Sequence, residues 1–230
     1  MQYDKHIWFN PAYLIHCGIE AQKHAVAKGR PLSSDVRKAI NESRATAIWA
    51  LGNNRVLNME QLVQMAAPNE QTPDTRVMYP TKGPLPNKDM PWGEFWDVEV
   101  VTYEEHSKEP IDDFLKRTKL AATRSYQTGT IILCYIDKFI EDGKLWSDIH
   151  KDLKDVKSDL QVFLLGKTHP DKPIYAMARV YPTFDALVQI DVIEEAKRKY
   201  ANPKGTQIIN FPGDEIKIKL PERGYNPFII

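Results

Sequence analysis

The stretch TIILCYID, residues 130–137, carries apolar side chains on both faces of a strand. Strands that are exposed on one face alternate apolar and polar residues, whereas strands covered by helices on both sides of a sheet do not. The stretch therefore predicts an interior strand, with Ile132, Leu133 and Tyr135 buried.

Helices and strands alternate on either side of this stretch. Strands are predicted at residues 95–103 and 160–165, and amphipathic helices at residues 110–126 and 145–157. The order along the chain is strand, helix, strand, helix, strand. This order is typical of parallel strands that are joined by right-handed crossover connections.

The outer parts of the chain complete an α/β pattern. In the first third, capping residues flank apolar residues at helical spacing, which predicts helices over residues 10–28, 33–52 and 58–67. Further elements are strands at 75–80, 174–181 and 187–192, a helix at 193–200 and a hairpin at 206–220. We therefore expect an α/β fold with a mixed, partly parallel sheet flanked by helices. The expected organisation is one structural domain, with an N-terminal helical region (1–71) packed on an α/β core (72–230).

The charges of the chain balance. Lys plus Arg and Asp plus Glu both number 31, so the formal net charge is zero, and binding to nucleic acid would need a local basic patch. Cys17 and Cys134 have no CxxC spacing, so neither a disulfide nor a zinc site is expected. No apolar run approaches the roughly 20 residues that span a bilayer, and the first residues lack a secretory signal. The expected location is the cytoplasm, with no membrane partner.

The common motifs of nucleotide-binding proteins and hydrolases are missing. The sequence has no Walker loop, no GxGxxG after a strand, no HExxH and no GxSxG. Their absence argues against the classes that these motifs mark.

Two carboxylates lie side by side on the predicted strand 95–103. Strand alternation places Asp97 and Glu99 on one face. Ionised carboxylates are costly to desolvate, so such a pair needs a cation, either a basic side chain or a hard metal ion with oxygen ligands. The alternative is an exposed or salt-bridged strand face.

Upstream of this strand lies Pro73-Asp74, with 22 residues between Asp74 and Asp97. Pro-Asp followed by Asp97-Val98-Glu99 resembles the motif of the PD-(D/E)XK, or restriction-endonuclease-like, nuclease superfamily. The resemblance covers residues 33–166 and implies that Asp74 and Asp97 bind Mg²⁺ or Mn²⁺. Glu99 stands where most members of that family have a lysine, and the resemblance implies that it is a further metal ligand or orients the attacking water.

The missing lysine can come from the helix that follows the strand, as in some members of that family. On the predicted helix 110–126, Lys119 lies about 40° from Leu115 and thus at the edge of the apolar arc. The resemblance implies that Lys119 assists catalysis with Glu99. The alternative is that Lys119 lays its stem along the core and places its ammonium group in water.

Many such nucleases add an acidic residue from an N-terminal helix. Glu20, Glu42 and Glu60 are the available carboxylates in the predicted helices. Each lies away from the apolar stripe of its helix, so all three are predicted to be solvated.

Two functions follow as expectations. The first is metal-dependent hydrolysis of DNA phosphodiester bonds by an endonuclease. The second is a non-catalytic module with the same core that binds protein or nucleic acid, which the missing strand lysine favours. In the second case the apolar tail, residues 225–230, would engage a partner or a second copy in a homo-oligomer.

Overall fold

A computed structural model describes residues 7–57, 61–64, 73–82, 91–104, 106–121, 124–137, 144–156, 159–185, 187–199, 206–211 and 214–219. The chain divides into two compact units. The first unit, U1, comprises Met1–Phe95 and Val192–Ile230, and the second, U2, comprises Trp96–Asp191. Both units combine helices with strands, so the chain is an α/β protein.

U2 contains parallel strands with helices in the connections between them. Its elements are β4 (Pro91–Glu104, from Trp96 onward), α3 (Ile111–Thr118), β5 (Ile131–Asp137), α4 (Lys144–Leu153), β6 (Gln161–Lys167), β7 (Ile174–Tyr181) and β8 (Val188–Asp191). The strands follow each other in chain order across the sheet. β4, β5 and β6 are parallel, while β7 and β8 are antiparallel to their neighbours. The predicted strand–helix–strand–helix–strand order and the mixed, partly parallel sheet are confirmed.

The strand β5 lies between β4 and β6, as its apolar sequence predicts. Ile132 and Leu133 are fully buried. Tyr135, which was predicted to be buried, is half-buried. An aromatic ring with a polar tip is often placed with one end near water. Trp146, Leu153 and Leu115 are fully buried and pack α4 and α3 into the core of U2.

The described part of U1 combines helices with the strands of one sheet. Its elements are β1 (Ile7–Phe9), α1 (Pro11–Ala27), α2 (Ser34–Leu57), β2 (Leu62–Gln64), β3 (Thr75–Lys82), α5 (Val192–Lys199), β9 (Thr206–Phe211) and β10 (Asp214–Lys219). β1 is antiparallel to β2 and parallel to β10, and β2 is antiparallel to β3. The predicted hairpin is formed by β9 and β10.

The helix α1 begins as its sequence predicts. The side-chain oxygen of Asn10 accepts a hydrogen bond from the backbone N–H of Ala12 at 2.9 Å, and Pro11 takes the first helical position. Gly29, with a φ of 60°, follows the helix end. An N-terminal proline and a C-terminal glycine in a left-handed conformation are the signals expected at the two ends of a helix.

For the first third of the chain, two predictions were wrong and one strand was missed. The helix α2 does not end at Gly52 but continues to Leu57, because the roughly 1 kcal/mol cost of a helical glycine is small beside the burial of its neighbours. Of the predicted helix 58–67, the described part contains the strand Leu62–Gln64. The strand Ile7–Phe9 was not predicted. Both strands have three residues, which is too short for a periodic pattern.

The two helices of U2 are shorter than predicted. α3 ends at Thr118 rather than near Tyr126, and α4 ends at Leu153 rather than near Lys157. At the end of α3 the carbonyl of Leu115 accepts hydrogen bonds from the N–H groups of both Lys119 and Leu120, at 3.0 and 2.9 Å. Such a doubly used carbonyl closes a helix, so Lys119 is its last capping residue.

Candidate functional site

Glu99 lies near the N-terminal edge of the parallel strands. It pairs with Ile132, the second residue of β5, and its side chain is 3% exposed. Its neighbours on the strand, Val98 and Val100, are also buried. A carboxylate at such a position has lost its water and needs a partner.

Lys119 supplies that partner. Its Nζ donates a hydrogen bond to Oε2 of Glu99 over 2.8 Å, and its side chain is 13% exposed. The lysine reaches the carboxylate because α3 packs on the sheet through Leu115 and ends one turn later. The structure therefore brings together the two residues that were predicted to act in catalysis.

Of the three predicted metal ligands, Asp74 and Asp97 lie in different units. Asp97 is half-buried on β4 in U2, two residues before Glu99, and Asp74 lies in U1 directly before β3. Among the described residues, no group of three or more histidine, cysteine, aspartate or glutamate side chains is placed to hold a metal ion. Carboxylate oxygens are nevertheless the kind of donor that Mg²⁺ and Mn²⁺ take. The assignment of Asp74, Asp97 and Glu99 as ligands stays a prediction.

One acidic residue of the N-terminal helices differs from its prediction. Glu42 on α2 is 8% exposed and lies 3.4 Å from the ammonium group of Lys38, whereas it was expected in water. The helix α2 is buried along much of its length, so residues off its apolar stripe are covered as well. Glu20 is exposed as predicted. Glu60 and the C-terminal tail, residues 225–230, lie outside the described residues.

A pocket of about 490 Å³ lies beside Lys119. It is lined by parts of the segment from Lys119 to Thr128, which leads into β5, and by Asp159 and Leu160, which lead into β6. Because β4, β5 and β6 are parallel, their N-terminal ends meet at one edge of the sheet. Glu99, Lys119 and the pocket therefore lie at that edge of U2.

The hydroxyl group of Tyr126 is buried beside the pocket. The tyrosine ring packs against the core of U2, and its hydroxyl oxygen is buried without a well-aligned hydrogen-bond partner. Burial raises the pKa of Tyr126, while the neighbouring charges of Lys119 and Arg124 act in the opposite direction. The phenol therefore stays protonated at neutral pH and keeps a proton to donate.

The sequence did not identify Arg124, Tyr126 and Asp159 as residues that line the pocket. Residues 124–127 were expected within or just after a helix, and no motif marks them. All three residues lie in loops that precede parallel strands. This shared position could have been recognised only if the end of α3 had been predicted correctly.

Comparison with protein-family models, with curated proteins and with solved structures finds no significant match to this chain. The resemblance to the PD-(D/E)XK superfamily thus rests on the residues of the chain itself. Among the described helices, none has the length and apolar character that crossing a membrane requires.

Proposed function

We propose that the protein is a metal-dependent nuclease that hydrolyses phosphodiester bonds of DNA. The contact between Lys119 and Glu99 carries this proposal. The strand motif lacks its lysine, and a lysine 20 residues later in the chain reaches the carboxylate that stands in its place. A restriction-endonuclease-like core is part of the same proposal.

Lys119 and Glu99 would have different roles in the reaction. Lys119 holds a positive charge in a largely dry position, where it can stabilise the negative charge that develops on a phosphate during hydrolysis. Glu99 fixes the position of that ammonium group by a charge-assisted hydrogen bond. Such a fixed donor needs little rearrangement at the moment of reaction.

A metal ion would be held by Asp97 and Glu99, which lie on β4 in U2. Asp74 stays a prediction from the sequence as a further ligand. When bound, Mg²⁺ or Mn²⁺ supplies a Lewis acid for the phosphoryl oxygens and lowers the pKa of bound water. The donor atoms fit such an ion in kind, because all are carboxylate oxygens. The protein residues would orient the phosphate and exclude water from Lys119.

A second function is favoured by the same contact. The ammonium group of Lys119 already compensates the buried charge of Glu99, so the pair can serve structure alone. Buried ion pairs of this kind often contribute little net stability but are costly to break. A non-catalytic module that binds protein or nucleic acid is therefore the alternative proposal.

The test compares two lysines of one segment. Lys119→Met removes the ammonium group beside Glu99, whereas Lys116→Met removes a half-exposed lysine that pairs with Asp112 on the outside of α3. We expect wild type and Lys116→Met to cleave single-stranded or duplex DNA with Mg²⁺ or Mn²⁺ and not with EDTA. Lys119→Met should cleave at least about 100-fold more slowly, as for the loss of one preorganised donor.

The folded state of each variant is checked by circular dichroism before cleavage is measured. Glu99→Gln/Lys119→Met serves as a second inactive variant, because it removes both charges and leaves none buried alone. If wild type binds DNA but cleaves none with either metal, the binding module replaces the nuclease. Equal cleavage by Lys119→Met and wild type would also exclude the proposed role of Lys119.

A further inference from the structure

The pocket beside Lys119 has the size of a small-molecule site. Its volume of about 490 Å³ lies within the range of roughly 300–1,000 Å³ that is common for ligand pockets. All of its lining residues belong to U2. It is therefore a feature of one compact unit rather than a gap between units.

The side chains that line this pocket include three hydrogen-bond donors that are suited to a phosphate. They are the ammonium group of Lys119, the guanidinium group of Arg124 and the hydroxyl group of Tyr126. The tyrosine hydroxyl is the strongest indication of a ligand. A buried donor without an aligned partner lowers the stability of the folded protein by about 1–3 kcal/mol. An acceptor oxygen on a ligand would recover that cost. The positive charge of Arg124, together with that of Lys119, which Glu99 partly offsets, favours an anionic oxygen next to such a donor.

The opposite charge is also present in the pocket. Asp159 and the side chain of Gln127 lie on the lining, and both can accept hydrogen bonds from an amino or hydroxyl group. A simple anion would use only the basic side and would meet the charge of Asp159. A nucleotide offers both kinds of group, since it carries an anionic phosphate together with a sugar and a base that donate hydrogen bonds.

We propose that this pocket binds one nucleotide unit, with its phosphate toward Lys119 and Arg124. The choice of a nucleotide within a single strand, rather than a free nucleotide, rests on the proposed nuclease function. A base paired in a duplex is stacked on both sides and does not enter a pocket of this size. The site therefore takes a single-stranded or unpaired segment.

The test measures equilibrium binding in EDTA, so that cleavage plays no part. The probes are a short single-stranded oligodeoxynucleotide, the same sequence as a duplex, a free deoxynucleoside monophosphate, the matching nucleoside and inorganic phosphate. The variants are Tyr126→Phe, which removes only the hydroxyl group, and Arg124→Gln. Arg37→Gln makes the same chemical change at an exposed arginine of α2 in U1 and serves as the control.

We expect the single strand to bind more tightly than the duplex, and the monophosphate more tightly than the nucleoside or inorganic phosphate. Tyr126→Phe should weaken binding about 5-fold, as for one neutral hydrogen bond of about 1 kcal/mol. Arg124→Gln should weaken binding by more, and Arg37→Gln should have no effect. The melting temperature of ligand-free Tyr126→Phe should be unchanged or raised, since the deleted hydroxyl group makes no aligned hydrogen bond.

Each outcome decides one question. Binding that is insensitive to Arg124→Gln and Tyr126→Phe, or that prefers the duplex, overturns the pocket assignment even if wild type is an active nuclease. Binding with the expected sensitivity but no cleavage with metal supports the pocket and rejects the nuclease. A free monophosphate that binds more tightly than the single strand supports the pocket and identifies a free nucleotide as its ligand.

Discussion

The carboxylate of Glu99 and the thiol of Cys134 are both buried in U2, but they are stabilised in different ways. The carboxylate oxygen of Glu99 lies 2.8 Å from the ammonium nitrogen of Lys119. Cys134, on β5, is completely buried in the core, which raises the pKa of its thiol to about 12. Glu99 therefore has a basic partner in the core, whereas burial disfavours the charged form of Cys134.

The raised pKa of Cys134 predicts a loss of stability in alkali. The thiol has a pKa of 9.0 before burial, so below pH 9 it is protonated in the folded and the unfolded chain alike. Above pH 9 the unfolded chain loses this proton while the folded chain retains it. The free energy of unfolding should then fall by about 1.4 kcal/mol per pH unit through this group alone.

The measurement is urea denaturation between pH 8 and pH 11 for wild type, Cys134→Ala and Cys17→Ala. Cys134→Ala should lack this part of the pH dependence, although its stability at pH 8 is lower because a small cavity is left. Cys17→Ala should follow wild type, since Cys17 is only half-buried. Identical slopes for wild type and Cys134→Ala would show that the thiol does not resist ionisation.

The sequence indicates some of these residue positions and not others. The alternation of β4 places Glu99 correctly on a strand, and the helical angle of Lys119 identifies it as the lysine nearest to the apolar arc of α3. The distance between their charged groups depends on where α3 ends, and an amphipathic pattern alone does not define that end. The segment that lines the pocket begins at Lys119, directly after α3. It could not be predicted because the end of α3 was not.

At the scale of elements, α3 connects the core to the candidate site. It has eight residues, and its fully buried Leu115 packs between the sheet and α4. An isolated helix of this length is unstable in water, so its order depends on tertiary packing. The position of Lys119 thus depends on the side chain of Leu115.

Leu115→Ala should destabilise the protein by about 2–5 kcal/mol, because a fully buried leucine leaves a cavity when it is truncated. Leu187→Ala makes the same change at a leucine that is 44% exposed in the same unit and should cost far less. Urea denaturation of both variants measures the difference. Equal losses would mean that α3 is not packed as described.

The elements that the sequence predicts well are the long ones. The strands β5, β6 and β7 and the helix α1 have clear periodicity or clear caps. The short strands Ile7–Phe9 and Leu62–Gln64 exist because neighbouring strands pair with them. Pairing of this kind is a property of the folded sheet, and no local pattern of three residues encodes it.

At the scale of the whole molecule, the formal net charge is zero. A protein without net charge exerts little long-range attraction on nucleic acid, so its binding depends on local cations. The proposed pocket offers Lys119 and Arg124, and Lys119 is already compensated by Glu99. The number of phosphates that the protein neutralises should therefore be small.

We expect the affinity for a short single strand to depend weakly on salt. With one or two phosphates neutralised, the slope of log K against log salt concentration should lie between about −0.7 and −1.4. Fluorescence anisotropy with a labelled oligonucleotide from 50 to 300 mM salt measures it. A slope steeper than about −4 would require an extended basic surface and would contradict binding of a single nucleotide unit.

The parallel pairing of β1 with β10 joins Ile7 to Lys217, more than 200 residues later in the chain. A ribosome that adds about 5–20 residues per second needs on the order of 10–40 seconds to synthesise the segment between them. Throughout that time one edge of β1, the strand that carries the large apolar ring of Trp8, lacks its partner strand β10. Open strand edges pair readily with the wrong chain. The strand β1 is therefore a segment for which protection by a chaperone during synthesis would matter.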